Sequence, residues 1–271
     1  MATRLSMPLR APLHARWRRQ WPWLLVGLAW GIALLATLTG QRALVDHHLL
    51  LEESRLPWPL AALVFLSGWQ VMIMAMMAPS NILGHAAGAT TRRDDSYSFR
   101  VLAVFGLGYA SVWTAFGLLA FSGDTLIHRL VDAWPWLAAH SFLIGATTLG
   151  LAGNYQFTSW KRVFLAGCRT RHESFHEAFM ATARQRSSRW LGVQQGATSV
   201  GCCWALMLVM FGVGVGGLGW MFALTVLMLA ETIVPGNVLS RRMCLVIGIV
   251  FLALAGIWLA QPEWLAHASF S

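Results

Sequence analysis

Apolar residues in this chain fall in long runs separated by short basic stretches, instead of alternating with polar positions. A helix rises only ~1.5 Å per residue, so crossing the hydrocarbon of a bilayer takes ~20 mostly apolar residues. Seven runs approach that length. They are Trp23 to Thr39, Trp58 to Pro79 (extending toward Leu83), Val101 to Phe121, Trp136 to Tyr155, Gly192 to Phe211, Leu218 to Val234 and Met243 to Ala260. Tryptophans such as Trp21, Trp58, Trp134, Trp136, Trp220 and Trp264 stand near their ends, where an amphipathic ring suits the headgroup level. The pattern predicts an all-α, polytopic membrane helix bundle with seven transmembrane helices. Residues 1–22 read as a basic cytosolic leader, 23–260 as one transmembrane domain, and 261–271 as a short external tail. The longest connection, 156–191, reads as a basic cytosolic loop, partly helical along the membrane surface.

Composition agrees with lipid as the solvent. Only 11% of the 271 residues are charged, against about 25% in an ordinary soluble domain. The formal charge of +9 would suggest nucleic acid in a soluble protein. Here seventeen of the 20 Lys and Arg residues lie in the leader and in the connections after the second, fourth and sixth runs. The other three are Arg42, Arg55 and Arg129. That asymmetry places the N-terminus in the cytosol and explains the charge without a nucleic-acid partner. The lipid bilayer is the expected partner. The first run has a basic leader but no small-residue cleavage site after it (Leu38-Thr39-Gly40-Gln41), so it reads as a retained anchor.

Soft and polar side chains recur on helical faces inside these runs. Gln70, Met74, Met77 and Asn81 share one stripe of the second run, with Met72 and Met76 beside it. Ser199, Cys203, Met207 and Met210 repeat the spacing in the fifth. Met221, Met228 and Glu231 share a face of the sixth. Glu231 is the one acidic residue well inside a run, and an intramembrane carboxylate costs ~2.5–3.5 kcal/mol on insertion scales. It requires a partner: Lys161 (the only lysine in the chain), Arg241, Arg242 or a bound metal. Thiolates and thioethers favour Cu(I) and other soft ions. Cys202, Cys203, Met76, Met77, Met207 and Glu231 are therefore the candidate metal ligands, with copper ahead of zinc. Gln70, Asn81, Tyr155, Gln156 and Lys161 are the candidate polar network around them. The four cysteines, Cys168, Cys202, Cys203 and Cys244, all fall on the cytosolic side of the predicted topology and are expected to stay reduced, with no structural disulfide.

Several stretches in order resemble an uncharacterised family of bacterial integral membrane proteins catalogued as predicted metal-binding. These are Met74-Ala75-Met76-Met77-Ala78-Pro79-Ser80; Tyr155-Gln156-Phe157-Thr158 with Lys161, Cys168 and Arg169; Gly201-Cys202-Cys203-Trp204-Ala205-Leu206-Met207 with Phe211; and Trp220-Met221 with Glu231. The resemblance spans roughly residues 60 to 255 and implies a metal role in the bacterial inner membrane. Two departures stand out. Ser159-Trp160 replaces a Pro-Leu pair before the lysine, and Thr232 replaces a lysine after Glu231. A chain lacking that second lysine needs another neutralising partner for the carboxylate.

His172-Glu173-Ser174-Phe175-His176 matches HExxH, which on a helix sets two histidines on one face for zinc. Cys168 lies one turn earlier, making Cys168, His172 and His176 a weaker metal set. The expected function is transition-metal handling, by transport or by delivery to a partner protein. A structural membrane subunit and a metal-dependent membrane hydrolase are the alternatives.

Overall fold

The computed structural model describes residues 13–39, 57–88, 99–169, 185–212, 218–234 and 237–260. These are all-helical, with no strand among the described residues. The helices are α1 (Leu13–Leu38), α2 (Trp58–Gly88), α3 (Phe99–Ala133), α4 (Pro135–Ala139), α5 (Phe142–Gln156), α6 (159–169), α7 (Gln185–Gly212), α8 (Leu218–Ile233) and α9 (Asn237–Ala260).

Four helices are long and apolar enough to cross a membrane: Pro59–Ile82 in α2, Ala103–Ala133 in α3, Ser188–Phe211 in α7 and Val238–Ala260 in α9. The other three runs give shorter apolar helices, Pro22–Leu38 in α1, all of α8, and α5 with 15 residues. Seven spans are expected from the sequence; among the described residues four helices reach spanning length. The fourth run is short because it is split. His140 leaves the helical conformation at φ −123° and ψ 33°, ending the short α4, and its ring stacks on Trp136 at 4.6 Å.

α3 runs twelve residues past the expected end at Phe121. Its polar stretch Ser122 to His128 stays helical because the side chains bond back to the helix itself. Ser122 Oγ donates to Leu118 O at 2.7 Å, and Thr125 Oγ1 donates to Phe121 O at 2.8 Å. The supposed surface loop after Gln156 is also helical at 159–169. Lys161, Leu165 and Cys168 form its buried face, while Trp160, Arg162 and Val163 are exposed. Spacing of i, i+4 and i+7 puts those three on one stripe.

Close helix approach positions the core. On α3 and α7, Gly108 faces Arg189 O and Gly192 faces Phe105 O with no room for a Cβ between backbones. Gly196 continues the contact beside Tyr109 O and Val112. On α5 and α9, a Cβ at Gly153 would sit 3.0 Å from Gly248 O. By contrast, Gly27 and Gly31 on α1 meet nothing within 4 Å, so that small-residue pair packs against no helix among the described residues. A single buried cluster runs through the bundle from Ala29 and Phe65 to Cys202, Met228 and Phe251.

Proline shapes two of the elements. Pro79 lies inside α2 and has no N–H for the carbonyl of Ala75. The indole N–H of Trp30 on α1 donates to that carbonyl at 3.1 Å, tying α1 to α2. The carbonyl of Glu231 faces the same deficit, since position 235, four residues on, is proline. Arg169 at the end of α6 supplies its Nη2 to Glu231 O.

Candidate functional site

The site grows from the sequence Gly201-Cys202-Cys203-Trp204 on α7. Gly201 is required by close packing, since a Cβ there would come 2.5 Å from the Phe164 ring of α6. The Tyr155 hydroxyl of α5 donates to Gly201 O, and its ring meets Trp204 edge-on at 5.1 Å. Successive residues on a helix turn ~100°, so Cys202 and Cys203 diverge. Cys202 points toward α6, where its thiol lies within reach of the Cys168 and Cys203 side chains. Cys203 faces the Tyr109 side of the bundle. All four cysteines are buried and outside any disulfide.

Beside Cys202 sits a wholly buried ion pair. Lys161 Nζ lies 2.6 Å from Glu231 Oε2, with both side chains at 0% exposure. The same ammonium donates to Cys202 O at 2.8 Å and lies 4.0 Å from Cys202 Sγ. A lysine has three N–H donors, and this geometry gives each a direction. Of the partners the sequence offers Glu231, the fold selects Lys161; Arg241 and Arg242 are exposed. Thr232 follows Glu231 where the resembled family has a second lysine. Its hydroxyl bonds back to Leu229 O at 2.9 Å.

The pair is incompletely satisfied. Glu231 Oε1 has no hydrogen-bond partner, nor do the two polar atoms of Gln156, which is buried at the end of α5. Gln156 lies close enough to act on the Glu231 carboxylate without closing a hydrogen bond. Arg169 Nε is likewise buried without a partner. Such groups are costly in a low-dielectric interior and ordinarily have a structural or functional reason.

Met76, Met77, Met207 and Met228 are buried in the same core as the thiols. Met74 is turned outward at 41% exposure, so the predicted stripe of the second run divides. Its other members serve two separate contacts. Gln70 donates to Thr114 Oγ1 at 2.7 Å, between α2 and α3 and away from the thiols. Asn81 Oδ1 accepts from Gln195 Nε2 at 3.3 Å. Tyr109 and Ser199 share a 3.0 Å hydrogen bond nearby, which joins α3 to α7 on the Cys203 side.

Among the described residues, no three His, Cys, Asp or Glu side chains gather as a ligand set. The available donors are thiols flanking Cys202 with thioethers around them. That set fits a soft ion of low coordination number, and fits poorly a hard ion or tetrahedral zinc. His172 and His176 lie outside the described residues. Sequence reasoning missed Arg169 as a partner of Glu231; the proline at 235 was the signal for an orphaned carbonyl there.

Residues 66–259 match the family PpoB2, described as a copper chaperone. Comparison with curated proteins and with solved structures finds no match.

Proposed function

The chain belongs to that copper chaperone family, and we propose that it is an integral membrane protein that holds Cu(I) at the thiols around Cys202 and passes it to a partner protein. The observation that carries this reading is the buried Cys202 thiol, flanked by Cys168 on one side and Cys203 on the other, in a core that also buries Met76, Met77 and Met207. Sulfur ligands select Cu(I), and burial protects it from water and from oxidation. Cys202 is the central donor, with Cys168 and Cys203 flanking it. Met76, Met77 and Met207, buried in the same core, offer weaker thioether donors. A site made for delivery needs such exchangeable ligands, since a cage of strong donors would not release its cargo. In this reading Glu231 is held by Lys161 and shapes the site instead of binding the ion.

The basic connections set the N-terminus and Cys168 on the cytosolic face of the bacterial inner membrane. The short helices α1, α5 and α8 complete the bundle alongside the four long ones.

The test is metal analysis of the detergent-purified chain loaded with Cu(I) under reductant. The expected result is stoichiometric copper that is lost in Cys202→Ser and retained in His172→Ala/His176→Ala. Copper that stays in Cys202→Ser and leaves with the histidines would move the site to the HExxH segment. No copper under any loading would leave the methionines and cysteines as packing alone.

A further inference from the structure

Three charged side chains converge on Cys202. Lys161 Nζ is 4.0 Å from its sulfur, Glu231 Oε2 is 2.6 Å from that ammonium, and Arg169 reaches Glu231 O from the end of the same helix as Lys161. Arg169 is close enough to Cys202 to act on it electrostatically. Among the described residues, two cations and one anion leave a fixed charge of +1 beside the Cys202 thiol. Inside a bundle that surplus is expensive unless something negative answers it.

We propose that this fixed charge makes the site select a monovalent soft cation over a divalent one, with Arg169 and the Lys161–Glu231 pair as the residues that set the selectivity. The inference rests on the functional reading above. Two thiols that bind a metal ion give up two protons to solvent and bring a charge of −2. Added to the fixed +1, the empty dithiolate carries −1. A monovalent ion such as Cu(I) then gives a neutral site. A divalent ion gives +1, buried and unanswered, and that difference is felt strongly where the effective dielectric is low.

The need for a charge at position 169 is separate from the need for a donor. A neutral side chain suffices to cap a carbonyl orphaned by proline, as Trp30 does for Ala75. The guanidinium therefore supplies something beyond the cap. Its Nε is buried with no hydrogen-bond partner among the described residues.

The experiment compares Cu(I) with Cd(II), a divalent ion that is also soft, so that softness does not decide the outcome. Affinities are measured by competition on the full chain in detergent under reductant. Arg169→Gln keeps a donor for Glu231 O and brings the fixed charge to zero. The ratio of Cu(I) to Cd(II) affinity is expected to fall about tenfold or more. Glu231→Gln moves the fixed charge the other way, to +2, is expected to raise the ratio, and serves if the first variant does not fold. Lys161→Gln/Glu231→Gln removes one charge of each sign, restoring +1, and is expected to keep the wild-type ratio. An unmoved ratio in the single variants, or an equal fall in the double variant, overturns the charge rule. Wild-type protein that binds neither ion overturns the functional reading itself, and this inference with it.

Discussion

Two carbonyls in this bundle lose their helical partner to proline, and each is capped from another helix in a different way. At Ala75 the donor is the neutral indole of Trp30; at Glu231 it is the guanidinium of Arg169. The first region joins α1 to α2 among apolar neighbours such as Ala29, Ala33 and Ile73. The second joins α6 to α8 beside a buried ion pair and three thiols. The same backbone problem has a cheap, uncharged solution in the first region. In the proposed reading the charges at the second answer to the chemistry of Cys202, and the comparison sets an uncharged knot beside a charged one.

The largest expected effect tests the functional side. Lys161→Met leaves Glu231 buried without its cation and should destabilise the protein by about 3–5 kcal/mol, read from unfolding in detergent. Adding Glu231→Gln should recover most of that loss. If the single variant is as stable as the parent, the pair is not the constraint described.

Packing comes next. Gly192→Ala places a methyl against Phe105 O, between helices that touch backbone to backbone. Overpacking of this kind typically costs ~1–3 kcal/mol, and Gly27→Ala, which meets open space, should cost far less. Equal losses at both positions would show that the α3–α7 contact is not special.

The structural knot gives a smaller effect. Trp30→Phe keeps the ring and removes the N–H, leaving Ala75 O unpaired at a cost of ~1–2 kcal/mol. In a Pro79→Ala background the helix supplies its own N–H, so the same substitution should cost little. A loss that persists in that background would assign the role of Trp30 to packing. Smallest is Ser199→Ala, which deletes the 3.0 Å bond to Tyr109 and should cost ~1 kcal/mol without altering copper content.

Much of the bundle was legible because lipid demands long apolar runs, and α2, α3, α7 and α9 follow from them. The segment after Gln156 reads as partly helical along the membrane surface, whereas the helix at 159–169 packs into the bundle. Its basic residues suggested solvent, yet Lys161, Leu165 and Cys168 repeat at helical spacing and are buried. A lone lysine on an apolar stripe was the available sign that a buried acid awaited it. Glu231 announced its own need for a partner, but only the fold chose Lys161 over Arg241 and Arg242. The Met stripe of α2 was read too simply. Periodicity gives a face, and the direction of that face depends on neighbours, so Met74 turned out while Met76 and Met77 turned in. Trp30 and Arg169 could not be read as caps, because a cap across helices depends on which helices meet.

X-ray absorption at the copper edge tests the central claim most directly. The full chain loaded with one equivalent of Cu(I) should give a first shell of sulfur alone, and Cys202→Ser should lose that signal. A first shell dominated by nitrogen or oxygen, unchanged in Cys202→Ser, would contradict it.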